Sequence, residues 1–154
     1  SRAELADRLV ARGYDSHVTQ YVLDRLEELG VINDKALGEM LIEQSQAKRP
    51  AGPALLRVKL LRRGLDETLV DELVKVSIPR DVELSSASAV VRQRLHFMTR
   101  LNPMTRKRRL WGLLARRGFD HETIEQALAA ESDPGEIDAG DSALSEDSNA
   151  HRDS

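Results

Sequence analysis

Apolar residues recur with a helical period along most of the chain, in short segments that end near Gly or Pro. Three of these segments carry leucines four residues apart: Leu5 and Leu9, Leu56 and Leu60, and Leu110 and Leu114. This spacing places both side chains on one face of an α-helix, where they can be buried together. The pattern therefore predicts an all-α fold built from short amphipathic helices.

The same turn follows each leucine pair. The three copies read Arg12-Gly13-Tyr14-Asp15, Arg63-Gly64-Leu65-Asp66 and Arg117-Gly118-Phe119-Asp120, at offsets of 51 and 54 residues. In each copy, Gly ends one helix in the left-handed conformation, and Asp caps the next helix by accepting hydrogen bonds from its first N–H groups. We interpret these glycines and aspartates as structural, and the Arg before each Gly as a helix-end residue. The repeat predicts three copies of a helix, a tight turn and a helix.

A further helix joins successive copies. Asn33 or Asp34 is a candidate N-cap for a helix that continues to about residue 47, and apolar spacing predicts another over roughly 81–99. Pro53 and Pro103 mark first helical positions. The sequence thus predicts eight helices, grouped as a three-helix unit over 1–49, a second over 50–101 and a two-helix unit over 102–130.

The two ends of the chain differ in character from these units. Ser1 and Glu4 form the pattern of a capping box, and because no Met precedes them we expect further residues upstream. From 131 to 154 apolar periodicity is lost, and eight acids face one base, a net charge of −7. This composition predicts a disordered acidic tail. Residues 1–130 then carry a net charge of +4.

Composition and motifs exclude several classes of protein. The chain has no Cys, which removes disulfides, zinc–thiolate sites and a Cys nucleophile. No run approaches the ~18 apolar residues of a membrane span, and the first residues lack the charged-then-apolar pattern of a leader, which agrees with the expectation of a cytoplasmic protein. The four His occur in no metal-ligand spacing, and no nucleotide-binding or hydrolase fingerprint occurs. We predict a cytoplasmic monomer that is not an enzyme and holds no metal or cofactor.

Two windows contain bases without acids. Nine bases lie between Glu83 and Asp120, and six lie between Gln44 and Leu65. A helix face that is merely solvated usually mixes both signs of charge, so these windows are candidate binding surfaces for an acidic partner or a phosphate backbone. The candidate residues are Lys48, Arg49, Arg57, Arg62, Arg92, Arg94, Arg106, Lys107, Arg108, Arg109 and Arg116.

The run Arg106 to Arg109 is the most informative part of these windows. A helix that begins at Pro103 places these bases near its positive end, where each costs up to about 1 kcal/mol relative to an acid. With Leu110 and Leu114 facing inward, Arg109 and Arg116 fall on one outward flank, and a cationic strip lies near Trp111. A plain solvated face is the alternative interpretation of this run.

These motifs together resemble the RecX family of bacterial regulators of the RecA recombinase. The resemblance covers about residues 1–130 and is carried by 2–5 with 12–15, 22–26 with 29–34, 60–66 and 108–119. It implies tandem three-helix units in an elongated, curved array that binds within the groove of the RecA–DNA filament. It further implies inhibition of RecA ATPase, strand exchange and coprotease activity, and hence a role in recombination, DNA repair and the SOS response.

Two other functions remain open at this stage. One is a helical protein that binds DNA and acts without RecA, although three turns with dissimilar outer residues do not define one recognition helix. The other is a helical scaffold for a different acidic protein. Whether single- or double-stranded DNA is contacted directly is also open, and the acidic tail is a candidate intramolecular competitor for the basic windows.

Overall fold

The computed structural model describes residues 1–131 and is all-α, as the sequence predicts. Over this range the structure has eight helices and no strand. Their bounds are α1 Arg2–Ala11, α2 Ser16–Glu28, α3 Asp34–Lys48, α4 Pro53–Arg62, α5 Glu67–Ser77, α6 Arg80–Leu95, α7 Pro103–Arg116 and α8 His121–Ala130. The predicted acidic tail lies outside the described residues, apart from Glu131. No helix within 1–131 is both long and apolar enough to span a membrane.

The three repeated turns have the geometry that their sequence predicts. The φ angles of Gly13, Gly64 and Gly118 are +86°, +74° and +84°, in the left-handed region that glycine enters without steric cost. The Asp two residues later accepts a hydrogen bond from an N–H in the first turn of the next helix, at 2.7 to 3.0 Å. The interpretation of these residues as turn and cap is therefore confirmed.

Two of the predicted helix ends are sharpened by the structure. Asn33, rather than Asp34, caps α3, because its side-chain oxygen accepts the Ala36 N–H at 3.0 Å. Helix α6 ends at Leu95, so the prediction of a helix to about residue 99 is wrong. After Leu95 the backbone hydrogen bonds join residues three apart, as in a 3₁₀ turn; for example, the Met98 N–H donates to the Leu95 carbonyl at 3.0 Å.

The helices pack in groups that do not coincide with the predicted unit boundaries. One hydrophobic cluster is formed by α3, α4 and α5, and a second by α6, α7 and α8, whereas α1 and α2 pack on each other. The connecting helix thus packs forward onto the following pair. Gly38 in α3 allows this approach, because a Cβ there would collide with the side chains of Leu73 and Leu65.

Burial of the repeated leucines follows this grouping. Leu56, Leu60, Leu110 and Leu114 are at most 2% exposed. In the first copy, Leu5 and Leu9 are only half-buried, and α1 has no buried residue. The leucine repeat in the sequence is therefore regular, but its burial requires a third helix, which the described part of the first copy lacks.

Successive groups meet through a repeated junction. The first turn of α4 sits on the α7–α8 turn, where Gly52 N–H donates to the Arg117 carbonyl at 2.7 Å and Ala54 N–H to the Gly118 carbonyl at 3.1 Å. The first turn of α1 also packs on the α4–α5 turn, but through side chains: the Cβ of Ala3 lies beside Gly64, and Glu4 accepts a hydrogen bond from Arg63 at 2.9 Å. The repeated turn is therefore also the contact surface for the preceding group.

Candidate partner-binding surface

Two of the predicted partner-binding bases are engaged within the fold. Arg57 pairs with Asp71 at 2.7 Å and also with Glu67, which fastens α4 to α5 and raises the pKa of the guanidinium. Arg92 pairs with Glu131 at 3.3 Å. These two guanidiniums are the least available of the predicted set for a partner.

Arg106 also has an internal role. It lies half-buried in the first turn of α7 and donates a hydrogen bond to the Leu101 carbonyl at 3.1 Å. Asn102 caps the same helix by accepting the Thr105 N–H at 2.8 Å. Arg106 therefore helps to close the loop between α6 and α7, and the neighbouring bases are better placed to meet a partner.

The other predicted bases are exposed. No carboxylate within residues 1–131 lies in salt-bridge range of them. This set, which we call the free bases, comprises Lys48, Arg49, Arg62, Arg94, Lys107, Arg108, Arg109 and Arg116. An exposed cation without a neighbouring acid keeps its full charge for an incoming anion. The structure thus retains eight of the eleven predicted residues as available cations.

Helix α7 presents four of the free bases. Its apolar face is fixed by Leu110 at 2% and Leu114 at 0% exposed, which direct Arg109 and Arg116 away from the core. Because Pro103 begins the helix, Lys107 and Arg108 lie near its positive end, without the acid that would stabilise that end. Trp111 is half-buried, and its ring meets His121 edge-on at 4.8 Å, so it anchors α7 to α8.

A cluster of three arginines is the feature that the sequence did not reveal. Arg117, interpreted from the sequence as a helix-end residue, is half-buried. Burial lowers the pKa of its guanidinium, and the charges of Arg94 and Arg49 lower it further. The three residues come from the α7–α8 turn, the end of α6 and the α3–α4 linker, so only the tertiary structure brings them together. We call them the arginine triad.

Exposed apolar side chains accompany the bases around the α6–α7 loop. Phe97 is 85% exposed and Met104 is 83% exposed. They flank the loop between α6 and the basic end of α7. Large exposed apolar side chains beside exposed cations are typical of a surface that contacts a macromolecule.

The acidic and histidine side chains of residues 1–131 are spread over the fold. Among the described residues, no three His, Asp or Glu side chains gather in an arrangement that could hold a metal ion. The buried carboxyl group of Glu83, 5% exposed, accepts the Asp120 N–H at 3.3 Å and so serves the α6–α8 contact.

The fold and the sequence have clear counterparts among known proteins. A crystal structure of RecX from Lactobacillus salivarius superimposes with a TM-score of 0.77 at 15% identity, covering 84% of each chain. This likeness establishes a shared helical fold. The sequence profile described as "RecX, third three-helix domain" matches residues 81–128, which span α6 to α8 and thus one of the packing groups.

Similar sequences establish the family. The chain is 35% identical over 136 residues to the regulatory protein RecX of Thermobifida fusca, covering 85% of this chain and 72% of that protein. It is 33% identical over 132 residues to the regulatory protein RecX of Mycobacterium leprae, covering 85% and 77%. The chain belongs to the RecX family of regulatory proteins.

Proposed function

We propose that this chain regulates a RecA recombinase by binding the RecA–DNA filament, and that binding inhibits ATPase, strand exchange and coprotease activity. Membership of the RecX family supports the regulatory role. The observation that carries the proposal is the set of free bases, because eight exposed cations without an acid partner within residues 1–131 attract an anionic surface such as the DNA or acidic side chains of a filament.

The arrangement of the helical groups suits a long partner. The α3–α5 group and the α6–α8 group are joined by the contact of α4 with the α7–α8 turn, and both groups carry free bases. A filament with a repeated surface can meet several groups at once, which raises the overall affinity by keeping the unbound contacts at high local concentration. We propose that the chain acts as a monomer in the cytoplasm and has no catalytic activity.

The bases of α7 provide the test. We expect Lys107→Ser, Arg108→Ser and Arg109→Ser, made together, to weaken inhibition of DNA-dependent RecA ATPase at least tenfold. A control of equal charge change is Arg8→Ser, Lys35→Ser and Lys75→Ser, because these bases are exposed, have no acid within salt-bridge range among residues 1–131, and lie outside the two windows. Equal inhibition by both triple variants would contradict a specific role for α7.

A further inference from the structure

The α3–α4 linker holds Arg49 in a fixed position. The Gln46 side chain exchanges two hydrogen bonds with the Ala51 backbone: its amide nitrogen donates to the carbonyl at 2.8 Å, and its oxygen accepts the N–H at 3.1 Å. Ala51 is 2% exposed. One residue further on, Gly52 is hydrogen-bonded to the Arg117 carbonyl. The linker therefore does not swing freely, and its Arg is carried to the α7–α8 turn.

The other two members of the triad are fixed by helices. Arg94 lies in the last turn of α6, which packs on α7 and α8, and Arg117 is the C-cap of α7. Burial of Arg117 is the main reason that its pKa is lowered, and the positive charges of Arg94 and Arg49 add to this effect. No carboxylate in the described part of the chain pairs with any of the three.

Positive charges that act on a half-buried guanidinium oppose folding unless something compensates for them. Like charges at short range repel, and partial burial of Arg117 strengthens the repulsion because it removes water. A bound anion reverses the sign of this interaction. Guanidinium groups match phosphate in particular, since their planar N–H groups can donate in pairs to two phosphate oxygens.

From this geometry we infer that the arginine triad binds a backbone phosphate of DNA, an inference that rests on the proposed function by taking filament DNA as the partner. Two neighbouring features favour a nucleic acid over an acidic protein surface. Lys48 and Arg116 are exposed and directly precede Arg49 and Arg117 in the sequence, so they add two further cations for the successive phosphates of a DNA strand. Phe97, three residues after Arg94 and 85% exposed, offers a surface on which a base can stack.

The experiment measures binding of the full chain to DNA without RecA, by fluorescence anisotropy over a series of salt concentrations. The triad variant combines Arg49→Gln, Arg94→Gln and Arg117→Gln, and the control combines Arg8→Gln, Lys35→Gln and Lys75→Gln. Labelled single-stranded oligonucleotides and duplexes of equal length show which form of DNA the site prefers. Thermal unfolding by circular dichroism checks that both variants fold, and Arg49→Gln alone, in an exposed residue, serves if the triple variant does not.

We expect the triad variant to lose at least tenfold in affinity for one of the two DNA forms. The slope of log affinity against log salt becomes shallower by about 0.7 for single strands or 0.9 for duplex, which corresponds to one phosphate contact. The control keeps the wild-type slope. If the triad variant and the control have equal DNA affinities and equal salt slopes, the inference that the arginine triad binds a phosphate is wrong.

The experiments distinguish a failure of the phosphate site from a failure of the proposed function. If the triad variant binds DNA like the wild type but inhibits RecA ATPase less, the triad contacts protein and the phosphate site is wrong. If the triad variant loses DNA affinity while wild-type protein fails to inhibit RecA, the phosphate site stands and the proposed function is wrong.

Discussion

The backbone N–H of Gly52 donates a hydrogen bond of 2.7 Å to the carbonyl oxygen of Arg117, and this bond joins two packing groups. It satisfies a carbonyl at the end of α7 that has no partner within its own helix. It also holds the α3–α4 linker, which contains Arg49, against the α7–α8 turn, which contains Arg117. The same contact therefore stabilises the array and positions the candidate phosphate site.

Substitution of Gly52 tests this junction. The φ of Gly52 is −76°, which any residue can adopt, but an added Cβ would collide with the backbone of Gly118 and Phe119. We expect Gly52→Ala to lower the free energy of unfolding by about 1–3 kcal/mol, measured by urea denaturation. In the control Gly112→Ala, the new methyl meets only the Arg116 guanidinium at 3.2 Å, and higher helix propensity should stabilise by up to about 1 kcal/mol. Equal changes in the free energy of unfolding for the two variants would show that the contact between Gly52 and the α7–α8 turn is not tightly packed.

Ala substitutions at two glycines with nearly the same φ distinguish the cost of backbone strain from the cost of a steric clash. Gly13 and Gly118 are both left-handed, but a Cβ at Gly13 meets nothing within 4 Å, whereas one at Gly118 would collide with the Leu55 backbone. We expect Gly13→Ala to cost about 1–2 kcal/mol of unfolding free energy, from strain alone. Gly118→Ala should cost clearly more because α4 must also be displaced. A Gly13 variant as unstable as the Gly118 variant would contradict this assignment.

Glu83 should make stability fall as pH rises. Burial raises the pKa of its carboxyl group, although the Asp120 N–H partly opposes the shift. A raised pKa in the folded state contributes stability that is complete below the unfolded pKa near 4.5 and is lost as pH rises through the folded value. We therefore expect Glu83→Gln to be more stable than wild type at pH 7 and no more stable at pH 3.5.

The control for this pH profile is Glu39→Gln, because Glu39 is an exposed acid and has no ion pair among the described residues. Its difference from wild type should stay nearly constant between pH 3.5 and 7. A Glu83→Gln variant that is less stable than wild type at pH 7 would show that ionised Glu83 stabilises the fold.

Glu4 should have the opposite dependence. The hydrogen bond from Arg63 at 2.9 Å holds the pKa of Glu4 well below its ordinary value. The stability that this contact contributes is therefore present above the ordinary value near 4.5 and is lost as pH falls towards 2. We expect Glu4→Gln to be less stable than wild type at pH 6, with the difference closing near pH 2. A difference that persists at pH 2 would mean that packing, not charge, dominates this junction.

Local features of the fold could be predicted from the sequence because short-range physics decides them. The leucine spacing, the left-handed glycines and the Asp caps each act within a few residues. The same pattern occurs in three copies, which made the interpretation of the turn more specific. The grouping of helices could not be read in this way. It depends on Gly38, whose missing side chain lets α3 approach Leu73, a contact between distant positions that no local pattern records.

The candidate surface was likewise predictable from the sequence only in part. A window without acids identified the free bases, but sequence could not show that Arg57 is occupied by Asp71 on the next helix. Nor could it bring Arg49 to Arg117, since that proximity depends on the Gly52 hydrogen bond across two groups. Charge composition thus predicted which part of the chain matters, and tertiary contacts determine which of its cations are available.

The central claim is that the partner of this chain is the RecA–DNA filament. The most direct measurement compares binding of the full chain to RecA–DNA filaments, to the same single-stranded DNA alone and to RecA alone, at one salt concentration. We predict affinity for the filament at least tenfold greater than for either component. Equal affinity for bare DNA and for filaments would contradict the claim and favour a DNA-binding protein that acts without RecA.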